Sequence, residues 1–291
     1  MTHKKLTIIG ATGFLSTTIT HQLANNGVAI KAIVRDIEKA RKVLPDSVEI
    51  VEGDVSDIQN LTHALKGTET LYIHLNTETV DDDISFYTER EGVRNIVEAA
   101  KANEVQHIIQ IAGLESLHEE FFLNGTIETR AIREAGMKYI EDSGIPFTFF
   151  YCSFFADSFI RFVDNNSVYL FGDLPHRIHF TNSYQLAEHI QQAINNSKSL
   201  NQRYSVQGFE GMTFLEAAQR FFAIYNPDIR VESLPLEAID ELGLPATEVK
   251  FFKRIWEVCG GLKERFVSTA AYEHLGQPRT GLEQTAKFMK K

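Results

Sequence analysis

Cysteine is nearly absent: Cys152 and Cys259 are the only two among 291 residues. So few, and so far apart, they support neither a disulfide framework nor a metal knuckle, and they read as ordinary buried thiols. Positive charge is also scarce, with 29 lysines and arginines against 39 aspartates and glutamates. The resulting formal charge of −10 argues against a broad nucleic-acid surface, which needs concentrated cations facing phosphates. A local basic pocket for one small anion stays compatible with it. No stretch reaches the roughly 18 consecutive apolar residues of a membrane helix, and the first residues lack a signal peptide's apolar core. A cytoplasmic protein with no membrane partner and no direct nucleic-acid partner is expected. The opening Thr2-His3-Lys4-Lys5 reads as a solvated terminus. No repeat or low-complexity linker divides the chain, and 43% hydrophobic content suffices for one large core or a main domain with a smaller lobe.

What is present starts at Lys4-Lys5-Leu6-Thr7-Ile8-Ile9-Gly10-Ala11-Thr12-Gly13. A β-branched apolar run stops at Gly10, and an amphipathic segment begins after Gly13. That pattern turns a strand sharply into a helix beneath a phosphate. Gly10 can take backbone angles closed to other residues, and Gly13 lets a diphosphate approach the peptide groups at the helix start. Gly10, Thr12, Gly13, Phe14 and Leu15 are therefore candidate dinucleotide contacts. Ser16 stands where the common fingerprint has its third glycine, leaving a hydroxyl near the helix start.

The next residues alternate strand and helix. Strands are expected over 6–9, 28–34, 48–51, 71–75, 107–111 and from 146 to 151. Helices are expected over 14–26, where Leu15, Ile19 and Leu23 share a face, over 84–102 and over 128–142. Nearly continuous apolar strands separated by helices predict a Rossmann-type, doubly wound parallel sheet covered on both faces. Residues 1–151 read as the core dinucleotide-binding region. Residues 152–291 read as a mixed region that adds late core elements and a smaller, mostly helical lobe.

Two positions bear on which dinucleotide binds. Arg35 follows the second strand, where a carboxylate would accept from the adenosine ribose and repel a 2′-phosphate. A guanidinium pairs with that phosphate, favouring NADP(H) over NAD(H). The plainer reading is a surface arginine paired with Asp36 or Glu38. In Gly53-Asp54-Val55, Asp54 can accept from the adenine amino group while Val55 packs on the ring. Alternatively, Asp54 caps the helix that begins near Asp57.

Together, Gly10-Ala11-Thr12-Gly13, Val34-Arg35-Asp36, Gly53-Asp54-Val55 and Glu141-Asp142-Ser143-Gly144-Ile145-Pro146-Phe147-Thr148 resemble the NmrA-like branch of the atypical short-chain dehydrogenase/reductase superfamily. The closing Leu275-Gly276-Gln277-Pro278-Arg279-Thr280-Gly281-Leu282 does so too, and the resemblance covers nearly the whole chain. It implies that Gly10 and Gly13 line the diphosphate, Arg35 meets the 2′-phosphate, and Asp54 with Val55 touches adenine. The superfamily's Ser/Tyr/Lys catalytic set does not carry over. The fifth strand leads into Ala112-Gly113, Arg133 stands at the lysine position, and Thr129 lies four residues before it. A tyrosine beside a lysine can protonate an alkoxide, but threonine does so poorly, and arginine keeps its charge. Arg133 can hold a nicotinamide ribose or an anion, or face solvent paired with Glu128 or Glu134.

Beyond Tyr151, Phe154 and Phe155 open an aromatic segment that reads as core packing or as a flat substrate wall. A strand is expected over 176–181 and helices over 184–194, 213–225, 236–242, 248–259 and 282–289, with a short strand over 229–232. His176 and His179 are three apart without a completing ligand, so no metal is assigned. The leading functional expectation is an NADP-dependent reductase of a small quinone-like or other conjugated electrophile, whose product oxygen is less basic than an alkoxide. His118 and Thr129 are the catalytic candidates, with Tyr87 and His179 as further proton donors; His179 also belongs to the expected substrate pocket. The rival is a non-catalytic redox sensor that presents bound NADP to a regulatory protein, and sugar-nucleotide epimerase or isomerase chemistry ranks behind both.

Overall fold

The computed structural model describes residues 5–77, 80–81 and 83–290, so Thr2, His3 and Lys4 of the basic opening lie outside the described residues. The chain opens with β1 (Leu6–Ile9), α1 (Phe14–Asn25), β2 (Ile30–Val34), α2 (Ile37–Val43), β3 (Glu49–Glu52), α3 (Ile58–Ala64) and β4 (Thr70–Ile73). A π-helical turn, Thr88–Gly92, leads into α4 (Val93–Ala102), then β5 (His107–Gly113), α5 (Arg130–Asp142) and β6 (Phe147–Cys152). The second half supplies β7 (Val163–Asp164), β8 (Ser167–Phe171), α6 (Ser183–Ile194), β9 (Gln202–Val206), α7 (Phe214–Tyr225) and β10 (Arg230–Leu234). It closes with α8 (Ala246–Gly260), α9 (Thr269–Leu275) and α10 (Leu282–Met289).

Among the described residues, seven strands form one parallel sheet in the order β3-β2-β1-β4-β5-β6-β9. The order reverses between β1 and β4, which is the doubly wound Rossmann arrangement and sets a ligand crevice beyond the carboxyl ends there. Every residue of β1, β2, β4 and β6 is buried, because helices cover both faces, whereas edge strand β3 is partly exposed. Alternation divides the side chains: Leu71 and Ile73 join the core beneath α3, α4 and α5, while Tyr72 joins the one beneath α1 and α6. Phe149 and Phe150 are fully buried on opposite faces. Each such ring contributes about 2–3 kcal/mol of burial.

The C-terminal lobe is mostly helical and adds a three-stranded sheet, β10-β8-β7. Its helix α7 starts at a capping box: Thr213 Oγ1 accepts from the Glu216 N–H, and the Thr213 N–H donates to Glu216 Oε2. Strands β7, β8 and β9 and helix α9 are not among the expected elements, and three of the expected segments come out differently. Residues 176–181 form no strand, because their amides go to unrelated partners: Ile178 to Met212, His179 to the Glu264 carboxylate and Thr181 to Phe154. The helix expected from 84 starts at Thr88 with a π turn, where the Glu89 carbonyl meets α5 so closely that a Cβ on Gly136 would sit 1.8 Å from it. Residues 236–242 make a 3-10 turn, Leu236–Glu241, rather than an α-helix.

Candidate functional site

At the end of β1 the chain turns under tight constraint. Gly10 has φ +87°, and a Cβ there would lie 2.1 Å from the carbonyl oxygen of His74, so no other residue fits. Gly13 is different. Its φ is −71°, and a Cβ would meet nothing nearer than the Gly10 oxygen at 3.4 Å. The protein itself leaves room there, on the outer side of the turn. Gly13 and Phe14 are exposed, Thr12 and Leu15 half-buried, and no side chain caps α1. The first-turn N–H groups thus have no side-chain acceptor, the kind of helix start that suits an anion. Ser16 is fully buried, and its Oγ has no hydrogen-bond partner among the described residues.

Arg35 is exposed at the end of β2 and makes no ion pair among the described residues. The expected partners are engaged elsewhere: Asp36 caps α2 through the Lys39 N–H, and Glu38 pairs with Arg41. Asp54 Oδ1 accepts from the Ser56 N–H at 2.8 Å and the Ser56 hydroxyl at 2.7 Å. Burial pulls its pKa upward, but those hydrogen bonds and the Arg35 charge hold it below the usual carboxylate range. Capping of α3 falls to Asp57, not Asp54, through Gln59 and Asn60. Val55 is buried, its side chain pressed toward Gly92 at the start of α4.

Across the switch point, His74 follows β4. Its Nδ1 lies 2.8 Å from the Tyr72 hydroxyl, and burial, with the Arg133 charge nearby, lowers its pKa to about 4. The imidazole is neutral at pH 7. Arg133 itself is clasped by two carboxylates, Nε to Glu89 Oε1 at 2.7 Å and Nη1 to Glu115 Oε1 at 3.2 Å. The pairing expected with Glu128 or Glu134 gives way to this one, because α5 turns Arg133 inward while Arg130 takes Glu134. Thr129 is buried one turn earlier.

The remaining candidates separate. His118 is half-buried rather than a free surface histidine; its Nε2 lies 3.0 Å from Ser205 Oγ, and its ring stacks on Phe121 at 5.0 Å. Phe154 packs among Phe159, Phe162, Phe180 and Phe214, whereas Phe155 packs against the core on the other face of the sheet. They do not form one flat wall. His179 Nδ1 sits 3.1 Å from the Gly208 oxygen, and burial lowers its pKa. Both cysteines are buried thiols. A polar cavity of about 890 Å³ lies elsewhere, bordered by Gln22 near the far end of α1, by α6 and by α10.

Sequence reasoning missed two groups. His74 had a signal, a lone histidine ending the apolar run Leu71-Tyr72-Ile73 at the sheet's carboxyl edge. Glu264 had none. Its carboxylate accepts from Ser153 Oγ at 2.6 Å, the His179 N–H at 2.9 Å and Gln207 Nε2 at 2.8 Å, while burial raises its pKa.

A glycine turn, a helix start with no side-chain cap and an exposed cation after β2 lie at the carboxyl end of a Rossmann sheet, and residues 10–162 match the family described as NAD(P)H-binding. The chain belongs to that family. It is 23% identical over 247 residues to an NAD(P)H azoreductase of Xenophilus azovorans, covering 82% of this chain and 81% of the relative. Among solved structures, a Citrobacter sp. triphenylmethane reductase complexed with NADP(H) superposes with a TM-score of 0.76 at 20% identity, over 98% of this chain and 99% of that one. An NADPH-dependent quinone oxidoreductase of Escherichia coli superposes with a TM-score of 0.73 at 20% identity, over 98% and 100%. Those likenesses establish a shared fold. Among the described residues, no helix is long and apolar enough to cross a membrane.

Proposed function

We propose that the protein is an NADP(H)-dependent oxidoreductase that reduces a small conjugated acceptor of the quinone or dye class in the cytoplasm. The observation that carries the cofactor choice is Arg35, exposed at the end of β2 with no salt bridge among the described residues, its charge felt by Asp54 alone among the perturbed carboxylates. A guanidinium there suits a 2′-phosphate as a charge-assisted partner. The peptide groups of Thr12 to Leu15 would hold the diphosphate and Asp54 the adenine amino group, with Val55 behind the ring. The bound nicotinamide supplies the hydride. Arg133, already held by Glu89 and Glu115, orders the carboxyl edge of β5 rather than moving a proton. A conjugated acceptor fits this site because its reduced oxygen asks for no strong acid. The reductase names of the azo-dye, triphenylmethane and quinone relatives support the same substrate class, and two buried free thiols suit a reducing compartment.

A second reading, a sensor that presents bound NADP to a protein partner, draws on one observation: the arginine at the superfamily's lysine position is committed to two glutamates. Titration with NADP, NADPH, NAD and NADH, followed by stopped-flow oxidation of NADPH by a benzoquinone and an azo dye, separates the two. NADP should bind more tightly than NAD, and Arg35→Ala should narrow that gap by about 1.5–3 kcal/mol. Equal wild-type affinities refute the NADP assignment. Tight binding with no acceptor-dependent turnover favours the sensor.

A further inference from the structure

Arg161 belongs to the 3-10 run Ala156–Phe162, which follows β6 and leads into the lobe. Its guanidinium carbon lies 5.3 Å from the centroid of the Phe14 ring. Phe14 is the first residue of α1, and 40% of it is exposed at the mouth of the glycine turn. Arg161 is exposed and makes no ion pair among the described residues. A guanidinium attracted to an aromatic ring does not spend its N–H donors on that contact, so they remain free for oxygen acceptors.

We infer that Arg161 is the counter-charge of the dinucleotide diphosphate, delivered across the turn by the segment after β6; the inference rests on the reading of this site as a dinucleotide site. The charge argument is direct. A helix N-terminus offers about half a positive charge, against two negative charges on a diphosphate. The first turn of α1 contains only Phe, Leu, Ser and Thr, so it adds no cation of its own. Arg35 stands at the end of β2, the position suited to the 2′-phosphate. Arg161 is the cation placed over α1's first residue. Its segment is firmly seated: Phe159 is fully buried, the Ala156 N–H donates to the Thr181 oxygen at 2.9 Å, and Asp157 accepts from the Ser183 N–H at 3.0 Å. The charge therefore comes from a fixed support, and Phe14 holds it over the turn. Dinucleotide binding then ties the start of the lobe to the nucleotide domain.

The test is calorimetric titration of NADP, NAD and 2′-AMP against wild type, Arg161→Ala and Arg161→Lys, with thermal unfolding to confirm that each variant is folded. Arg161→Ala should weaken NADP and NAD alike by about tenfold, leave their ratio unchanged and leave 2′-AMP, which has no diphosphate, unaffected. Arg161→Lys should fall between, since it keeps the charge but loses the guanidinium's fork of donors. NADP and NAD affinities within about twofold of wild type in folded Arg161→Ala overturn the inference alone, as does an equal loss for 2′-AMP. Wild type that binds neither dinucleotide overturns the reading of the site and this inference with it.

Discussion

Replacing Arg133 with methionine should unfold the protein more readily before it changes any binding. Glu89 is only 2% exposed and Glu115 18%, and Arg133 reaches both from α5. Methionine keeps much of the side-chain volume but leaves the Glu89 carboxylate buried without its cation. Breaking a buried pair from one side costs about 3–5 kcal/mol, because the stranded charge loses its compensation. Part of this cluster is accessible to water, so about 3 kcal/mol is expected, or a Tm drop of roughly 5 °C for a chain of this size. The double variant Arg133→Met, Glu89→Met removes both charges and should recover at least about 1 kcal/mol relative to Arg133→Met. Thermal and urea unfolding of wild type, both singles and the double complete the cycle. A Tm for Arg133→Met within about 2 °C of wild type, or a double less stable than Arg133→Met, would refute the buried-clasp reasoning.

Further tests address pH and the glycine turn. Burial holds His189 down to about 4 from 6.5, so the unfolded chain takes up its proton first, and stability is lost as pH falls from 6.5 toward 4. His189→Leu should remove about 2 kcal/mol of the stability that wild type loses between pH 7 and 5, measured by urea unfolding; parallel profiles would argue against it. Gly13→Val should stay folded at a cost of about 1 kcal/mol as a poorer N-cap while losing NADP affinity, because only the ligand needs that space. Ser16→Gly should bind normally. If folded Gly13→Val binds NADP like wild type, the diphosphate lies elsewhere.

The fold was legible where periodicity and turn chemistry agreed. Leu6 to Ile9 and Gly10 predicted β1 and its turn without error, and the helix expected over 213–225 is α7. The sheet's seventh strand escaped notice because Gln202-Arg203-Tyr204-Ser205-Val206 alternates weakly and carries charge, its place being set by pairing with β6 rather than by its own pattern. Site residues divide in the same way. Gly10, Gly13 and Arg35 announce themselves through local geometry and spacing. Arg133's partners, Glu89 and Glu115, are 44 and 18 residues away in sequence, so mere proximity along the chain pointed to Glu128 and Glu134 instead. Phe154 and Phe155 looked like one wall because adjacency in sequence hides that extended backbone sends neighbours to opposite faces.

The late arrival of β9 has a consequence for how the chain is made. All six residues of β6 are buried, and its outer edge is closed only by β9. During synthesis, that apolar strand leaves the ribosome with one row of amides and carbonyls unmatched until the stretch through Val206 has followed. Such an edge is a template for another chain. The nascent protein is thus most vulnerable to self-association midway through translation, and a fragment ending at Tyr151 or Cys152 would keep that vulnerability permanently.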